Sequence, residues 1–262
     1  MFEIIKSIYD FPQYYEVTSP GSPGDVAFYL EEVRRSGEPV LEVGFGLGRV
    51  GIPIAQSEMA ITGIDNSIHM LSVAQERVSN LGSEVQKNIS LIFTDIRCPE
   101  IKQKYKTVIV PYRAFLHLYN VDEQLAALAA IHDLLTGNGT LILSLFDPDV
   151  RTLARFAQEV NGSYRVFRSG KLANDNKGLI SWATTHCDLE KQLIEELWTY
   201  EEIKESEVVN REYGLFKIRY IFRYEMEHLL IRTGFKIKNL FGDFDRSPYR
   251  YGSEQIWICN KV

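Results

Sequence analysis

The sequence predicts an α/β protein with a doubly wound, mostly parallel sheet and an inserted antiparallel β cap. Two observations carry this prediction. Short apolar strands alternate with amphipathic helices over residues 39–146, as in a parallel sheet covered by helices on both faces. Longer segments rich in Thr, Trp, Tyr and Glu follow over residues 178–221, and their partial alternation of polarity is typical of antiparallel strands.

The predicted elements follow one another in short steps. Apolar strands are predicted at residues 39–43, 60–64, 89–93, 107–110 and 140–146. Helices are predicted at residues 25–35, 49–57, 67–79 and between Asp122 and Gly137, with Ser67 and Asp122 as N-terminal caps. Strands at 178–189, 192–203 and 207–221 form the inserted sheet, and a helix at 223–233 with strands at 235–241 and 254–260 returns to the parallel core.

Composition narrows the class of protein. The 262 residues include 29 Lys and Arg against 35 Asp and Glu, a formal net charge of −6. A net acidic chain without a block of like charges argues against a nucleic-acid partner, because such binding depends on neutralised phosphates. No apolar run approaches the roughly 18 residues of a membrane span, and the N-terminus lacks the pattern of a signal peptide. Three widely spaced cysteines fit neither a disulfide framework nor a zinc site, so we expect a cytoplasmic enzyme.

The most informative segment is the glycine loop, residues 44–48, directly after the first predicted parallel strand. Its sequence is Gly44-Phe-Gly46-Leu-Gly48, and Glu42 precedes it. Glycines let the backbone turn tightly and approach a ligand closely, while the next helix points its N-terminus at that ligand. In doubly wound sheets, ligands bind at the carboxyl ends of the strands, where this loop is expected to lie.

Acidic residues end the next two strands. Asp65 follows Gly44 by 65 − 44 = 21 residues, close to the roughly 20 expected for an acid that binds ribose hydroxyls. Asp95 ends the third strand. Together with Glu42, these carboxylates indicate a ligand with a ribose, an adenine amine and a cationic group.

Two cofactor classes fit the glycines. The string Gly46-Leu-Gly48-Arg-Val-Gly51 also satisfies GxGxxG, which would indicate a dinucleotide. That frame begins late relative to the strand end, and a pyrophosphate would gain nothing from the charge of Glu42. A carboxylate before the glycines favours a sulfonium nucleoside with a positively charged amino-acid end.

At this point the sequence resembles a family, the class I S-adenosylmethionine-dependent methyltransferases. The resemblance lies in Val40-Leu-Glu-Val-Gly-Phe-Gly-Leu-Gly-Arg, Gly63-Ile-Asp-Asn-Ser-Ile-His-Met-Leu, Thr94-Asp-Ile, Pro111-Tyr-Arg-Ala-Phe-Leu-His-Leu and Leu135-Thr-Gly-Asn-Gly-Thr-Leu-Ile-Leu. It covers about residues 40–146. The closing segments, residues 242–249 and 256–261, are similar to the small-molecule branch, which includes sugar-amine and amino-acid N-methyltransferases. The resemblance implies a Rossmann-like seven-stranded sheet whose last strand is antiparallel.

The resemblance also implies roles for individual residues. Gly44, Gly46 and Gly48 would line the methionine part of S-adenosylmethionine, with Glu42 organising the loop. Asp65, with Asn66 beside it, would accept hydrogen bonds from the ribose hydroxyls. Asp95 would bind the adenine amine and the Ile96 backbone the ring nitrogen, while Pro111 and Tyr112 would lie near the methionine amino group and the transferring methyl. Phe45 departs from the small residue or Cys often found at its position, and its side chain could point into the core.

Other side chains are candidates for chemistry or for acceptor binding. His117 is the candidate acid/base or substrate-orienting residue, because the related sugar-amine enzymes have a similar His-Leu pair; it could equally cap or pack a helix start. Arg113 would bind a substrate carboxylate or brace its loop. Tyr14 would close over the cofactor and Tyr15 would contact substrate, unless both only pack the N-terminal segment. Arg246 and Tyr249 would line the acceptor pocket, or lie in a solvated loop.

The predicted organisation is one domain over residues 1–262. An N-terminal segment and helix (1–37) would cover the cofactor, the α/β core (38–148) would bind it, the cap (149–222) would cover the acceptor site, and residues 223–262 would complete the sheet.

His186 and Asp188 share a strand face but have no second cluster of ligands, so no metal is expected. A homodimer through the cap is possible.

The predicted function is methyl transfer from S-adenosylmethionine to a small-molecule acceptor, first of all an amine nitrogen, by in-line displacement, leaving S-adenosylhomocysteine. An oxygen or carbon atom is the next most favoured acceptor. The alternatives are a nicotinamide-dependent oxidoreductase and a non-catalytic nucleoside-binding protein of the same fold.

Overall fold

The apolar strands predicted over residues 39–146 pair into one sheet in the structure, a computed structural model that describes residues 6–158, 165–172 and 177–262. The chain forms two units. The larger unit comprises residues 22–149 and 220–262, and the described residues of the smaller unit fall within 6–21 and 150–219.

The elements, in chain order, are as follows. The first half of the chain contains β1 (Lys6–Ser7), α1 (Pro12–Thr18), α2 (Asp25–Ser36), β2 (Val40–Val43), α3 (Gly51–Gln56), β3 (Ile61–Asp65), α4 (Ile68–Ser79), α5 (Ser83–Gln86), β4 (Ile89–Phe93), β5 (Tyr105–Val110) and α6 (Val121–Leu134). The second half contains β6 (Leu135–Phe146), α7 (Val150–Gln158), β7 (Arg165–Lys171), β8 (Gly178–Asp188), β9 (Leu193–Lys204), β10 (Glu207–Arg219), α8 (Arg223–Arg232), β11 (Phe235–Phe241) and β12 (Glu254–Lys261).

The larger unit is built on a mostly parallel sheet. Within the described ranges seven strands pair in the order β4–β3–β2–β5–β6–β12–β11, and β12 is antiparallel to both of its neighbours. The central strand β2 is buried along its whole length, which explains why its sequence is continuously apolar apart from Glu42. The predicted Rossmann-like fold with an antiparallel last strand is therefore confirmed.

Helix boundaries in the larger unit follow local capping. Ser67 caps α4 as predicted, since its side chain accepts a hydrogen bond from the N–H of Met70 at 3.3 Å. The predicted cap of α6 is wrong: Asn120, and not Asp122, accepts the first-turn N–H, from Glu123 at 2.9 Å. Asp122 lies inside the first turn instead, where a negative charge favours the helix dipole.

The smaller unit contains the predicted antiparallel sheet. Its described strands pair in the order β1–β10–β9–β8–β7, and β1 alone among them runs parallel to its neighbour, with Lys6 opposite Gly214. The strands β1 and β7 were not predicted, whereas β8, β9 and β10 lie within two residues of the predicted ranges. The core of this unit includes Phe11, Tyr14, Trp198 and Tyr200.

Candidate active site

The glycine loop lies at the carboxyl edge of the parallel sheet. The neighbours of β2 are β3 on one side and β5 on the other, so the strand order reverses at β2. Ligands of doubly wound sheets bind at this switch point. The three strand ends that meet there are Val43, Asp65 and Val110.

The backbone of the loop is left-handed at each of its glycines. Gly44, Gly46 and Gly48 have φ of 77°, 55° and 82°, a region that side-chain-bearing residues enter only with strain. Space is also restricted at Gly44, where an added Cβ would lie 2.7 Å from the Cβ of Ala114. The loop therefore offers backbone, and not side chains, to a ligand.

Phe45 points away from this ligand surface. Its side chain is 2% exposed and belongs to the hydrophobic core. Room for the ring comes from two glycines, because an added Cβ would lie 2.3 Å from it at Gly51 and 2.1 Å from it at Gly63. The bulky residue in the loop is thus compatible with the predicted cofactor site.

Asp65 holds the loop from the end of β3. Its Oδ2 accepts the N–H of Gly46 at 2.8 Å, and its Oδ1 accepts the N–H of Ser67 at 2.9 Å. Each carboxylate oxygen has two acceptor positions, so positions remain for other donors. Burial raises the pKa of Asp65, against the lowering by these backbone hydrogen bonds. Asn66, beside it, is exposed.

Glu42 is a buried carboxyl beneath the loop. It is 2% exposed, and its Oε2 has no hydrogen-bond partner among the described residues. Burial raises its pKa well above the ordinary range, although the charge of Arg49 acts in the opposite direction. Arg49 itself binds buried Asp25 through its Nη1 at 2.7 Å.

Asp95, two residues after β4, is tied to an arginine that the sequence analysis did not single out. The guanidinium of Arg97 donates to both of its oxygens, and the pKa of Asp95 is lowered mainly by that contact. Arg97 also binds Glu123 of α6 at 2.8 Å. Ile96 lies between the two paired residues and is half-buried.

The segment after β5 has an unusual backbone. Pro111 is buried, and the next two residues, Tyr112 and Arg113, have φ of 47° and 68°. Non-glycine residues in this region are uncommon and cluster at functional sites. The turn is stabilised from β6, where Ser144 accepts the N–H of Tyr112 through its Oγ and that of Arg113 through its carbonyl, both at 3.2 Å.

The Tyr112 ring lies between two guanidiniums. The Cζ of Arg49 is 5.2 Å and that of Arg113 is 5.7 Å from the ring centroid, within the distance of cation–π contacts. Arg113 also reaches Glu254 at the start of β12, at 3.5 Å. Two roles were predicted for Arg113, binding of a substrate carboxylate and stabilisation of its loop. Both are compatible with this half-buried position.

His117 ends a short 3-10 helix, Ala114–His117, that follows the turn. The residue is half-buried. Two residues later, the N–H of Tyr119 donates to Glu123 at 2.7 Å. The helix start that follows is capped by the side chain of Asn120, and the acid/base, orienting and packing roles of His117 stay predictions.

The remaining candidates are more dispersed. Tyr249 donates toward Asp147, and burial together with that carboxylate raises its pKa to about 12. Arg246 binds Glu31 and Glu32 of α2 at 2.9 and 2.7 Å. These contacts fix its side chain against α2, and an acceptor-binding role would have to compete with two carboxylates.

Tyr14 and Tyr15 belong to the smaller unit. Tyr14 is 1% exposed, donates to Glu202 at 2.6 Å and stacks on Tyr200 with ring centroids 4.9 Å apart. Burial, followed by its contact with Glu202, raises the pKa of the Tyr14 phenol. Tyr15 is half-buried and tilted against Tyr9. Contact between Tyr14 and a cofactor stays a prediction.

Sequence reasoning missed four residues that support the site from neighbouring elements. Arg49 binds Asp25 of α2, Arg97 binds Asp95, Ser144 of β6 binds Tyr112, and Asp147 binds Gln255 of β12. Arg49 and Arg97 had local signals, because Arg49 directly follows Gly48 and Arg97 lies two residues after Asp95, whereas Ser144 and Asp147 had none.

Two searches of the described residues bear on other classes of protein. No group of three or more His, Cys, Asp or Glu side chains there is placed to hold a metal ion. No helix in the same part of the chain has the length and apolar character needed to cross a membrane.

Residues 40–139 match the family model described as a methyltransferase domain. The matched region contains the glycine loop, Asp65, Asp95 and the turn after β5. The predicted methyltransferase domain is thereby confirmed for this part of the chain, and the oxidoreductase alternative loses its support. A comparison with curated proteins gives no match.

Solved structures share the fold over nearly the whole chain. The CcbJ methyltransferase from Streptomyces caelestis is 17% identical, with 93% of this chain and 98% of that chain covered and a TM-score of 0.74. The sugar N-methyltransferase KedS8 from a Streptoalloteichus species is 12% identical, with 100% and 95% covered and a TM-score of 0.72. CalS10, an amino pentose methyltransferase from Micromonospora echinaspora solved with S-adenosylmethionine bound, is 15% identical, with 100% of both chains covered and a TM-score of 0.65.

Proposed function

We propose that this protein transfers the methyl group of S-adenosylmethionine to the amine nitrogen of a small-molecule acceptor. The observation that carries the proposal is the glycine loop at the switch point of the sheet. Its three glycines are left-handed, and Asp65 fixes the loop through the N–H of Gly46. This arrangement suits a nucleoside whose ribose meets Asp65 while its amino-acid end meets exposed backbone.

The residues present fit S-adenosylmethionine in their chemistry. Asp65 keeps acceptor positions for ribose hydroxyls, and Asp95 keeps an acceptor position for an adenine amine. At Gly44 a side chain would collide with Ala114, 2.7 Å from an added Cβ, so glycine lets this part of the loop lie close to the segment after β5.

Bound S-adenosylmethionine would supply an electrophilic methyl on a good leaving group. The protein then has to align the acceptor, exclude water and remove a proton. An ammonium has no lone pair, so the amine must lose a proton before attack. His117 is the proposed group for that step, since a neutral imidazole accepts a proton near neutral pH.

Nitrogen is proposed as the acceptor atom on two grounds. Two proteins of the same fold, KedS8 and CalS10, are described as a sugar N-methyltransferase and an amino pentose methyltransferase. The site also contains Asp65, whose carboxylate is held by the backbone N–H groups of Gly46 and Ser67, and its charge would favour a cationic or neutral acceptor over an anionic one.

Calorimetric titration with S-adenosylmethionine, S-adenosylhomocysteine and NAD tests the cofactor. We expect micromolar binding of the first two and none of NAD. Asp65→Ala should weaken binding of S-adenosylhomocysteine by about tenfold or more, by removal of the ribose acceptor. Gly46→Val should weaken it too, because valine resists a φ of 55°.

A control and a turnover assay complete the test. Asp133→Ala removes an exposed carboxylate on α6, whose side chain is 84% exposed, and should leave binding unchanged. Melting temperatures of all variants identify any that fail to fold. Methyl uptake by amines, compared with alcohols of the same skeleton, then tests the acceptor atom, and preferential uptake by the alcohols would contradict the nitrogen proposal.

A further inference from the structure

Asp95 sits at the centre of a fork of hydrogen bonds from Arg97. Its Oδ1 accepts the backbone N–H of Arg97 at 2.8 Å and the Nε at 3.0 Å. Its Oδ2 accepts the Nη2 at 2.5 Å and shares the Nε at 3.0 Å. Two parallel bonds between a guanidinium and a carboxylate fix the plane of that carboxylate.

The remaining guanidinium nitrogen, Nη1, points toward α6 and away from Asp95. It donates to the Oε1 of Glu123 at 2.8 Å. The Oε2 of Glu123 in turn accepts the N–H of Tyr119 at 2.7 Å. Arg97 is therefore held from α6 while it holds Asp95, and the same glutamate fixes the segment two residues after His117.

The number of acceptor positions limits what Asp95 can do. A carboxylate has about four of them, and the backbone N–H and the Nε of Arg97 occupy those on Oδ1. On Oδ2, Nη2 takes one position, and the Nε, which is shared between the two oxygens at 3.0 Å each, occupies the other only in part, so a stronger donor can still bind there. An incoming ligand thus meets a single acceptor in a fixed orientation.

Stability does not explain this fork. The side chains of Arg97 and Asp95 are 42% and 27% exposed, and ion pairs that are this accessible to solvent contribute little to folding. Orientation is the property that a bidentate, doubly anchored guanidinium provides and that an isolated aspartate lacks.

We propose that Arg97 is the positioning residue that makes Asp95 selective for the 6-amino group of adenine. The proposal rests on the proposed function, because it requires an adenosine cofactor whose base meets Asp95. A 6-oxo purine presents an acceptor oxygen to Oδ2, and a fixed carboxylate cannot turn away from it. Without Arg97 the carboxylate can rotate toward solvent. The 6-amino group then contributes less to the binding free energy, and the 6-oxo group opposes binding less.

Binding of two nucleosides that differ in the 6-substituent, and in the proton that the 6-oxo base carries on N1, tests the proposal through the change that each variant makes to the preference. The probes are S-adenosylhomocysteine and S-inosylhomocysteine, titrated by calorimetry into wild type, Arg97→Ala, Arg97→Lys and Glu123→Gln. We expect wild type to prefer the adenosine compound by more than tenfold. In Arg97→Ala this preference should fall by about fivefold or more, and Arg97→Lys should resemble it because lysine has no planar fork. Glu123→Gln should have a smaller effect in the same direction.

Controls separate orientation from folding. Lys87→Ala removes an exposed cation that pairs with Glu84 at 2.7 Å, and it should leave both affinities unchanged. Asp95→Ala should reduce the preference as Arg97→Ala does, and Arg97→Ala should add nothing in the Asp95→Ala background. An equal loss of both affinities in Arg97→Ala would indicate a merely structural role and overturn the proposal, as would an unchanged preference. Failure of wild type to bind either compound would instead overturn the proposed function.

Discussion

Single residues in the site include ionisable groups whose protonation is changed by burial. Glu42 is the clearest case, because its buried Oε2 has no hydrogen-bond partner among the described residues and burial raises the pKa of the group. Between the ordinary value of 4.5 and the higher folded value, the folded protein holds a proton that the unfolded chain has lost. The contribution of Glu42 to the free energy of unfolding therefore falls as pH rises through that window.

Glu42→Gln should remove this pH dependence. We expect the variant to be more stable than wild type at pH 8, by about 1.4 kcal/mol for each unit by which the pKa of Glu42 in the folded protein exceeds that in the unfolded chain, because glutamine stays neutral without binding a proton. The difference should vanish near pH 4, where both proteins are neutral at this position. Thermal unfolding at several pH values measures it, and Glu84→Gln, with an 83% exposed side chain, should show no such trend. A variant that is destabilised at pH 8 would contradict the prediction.

His117 is the second residue-level case. Its half-buried position after the turn suits proton removal from an amine. We expect His117→Gln to lower kcat for an amine acceptor by about 100-fold or more and to leave the affinity for S-adenosylhomocysteine within about twofold. If His117 only packs its short helix, the melting temperature would fall while kcat of the folded protein stayed near the wild-type value.

At the level of elements, the glycine loop, α3 and β3 pack around the ring of Phe45. Phe45 fills the space left by Gly51 at the start of α3 and by Gly63 in the middle of β3. The loop is thus attached to the core through a side chain on its far side. This packing couples the position of the loop to the middle of β3.

Gly63→Ala should break this fit. The added methyl would lie 2.1 Å from the Phe45 ring, so we expect a loss of about 1–3 kcal/mol in the free energy of unfolding and weaker cofactor binding. Combination with Phe45→Leu should restore part of the stability, because leucine is smaller than the ring. Denaturant unfolding measures both. Gly137→Ala, where a methyl would meet open space, is the matched control, and an equal effect there would contradict the explanation.

At the level of the whole molecule, the sequence predicted what depends on local pattern. The parallel strands are apolar runs with both faces covered, so their positions were clear, and the glycine loop and Asp65 follow directly from strand ends. Strand β7 was missed because its sequence, Arg-Val-Phe-Arg-Ser-Gly-Lys, is largely polar and its pairing partner is β8. The contacts of Arg246 with α2 could not be predicted either, since they join residues 214 positions apart.

Cofactor binding should raise the stability of the chain as a whole. A ligand that binds only the folded protein adds about 2.7 kcal/mol at a concentration 100 times its Kd. We therefore expect S-adenosylhomocysteine to raise the melting temperature of wild type in a concentration-dependent way, and to raise that of Asp65→Ala much less at the same concentrations. Equal shifts in the two proteins would place the ligand elsewhere.

The pairing of β1 with β10 has a consequence for biosynthesis. Lys6 lies opposite Gly214, so the first strand of the chain is made long before the strand that it joins. A ribosome adds residues at about 5–20 per second, which leaves Phe11 and Tyr14 without Trp198 and Tyr200 for about ten seconds or more. The emerging N-terminal segment is therefore an apolar surface that chaperones can bind during synthesis, and the smaller unit can close only after residue 219 has left the ribosome.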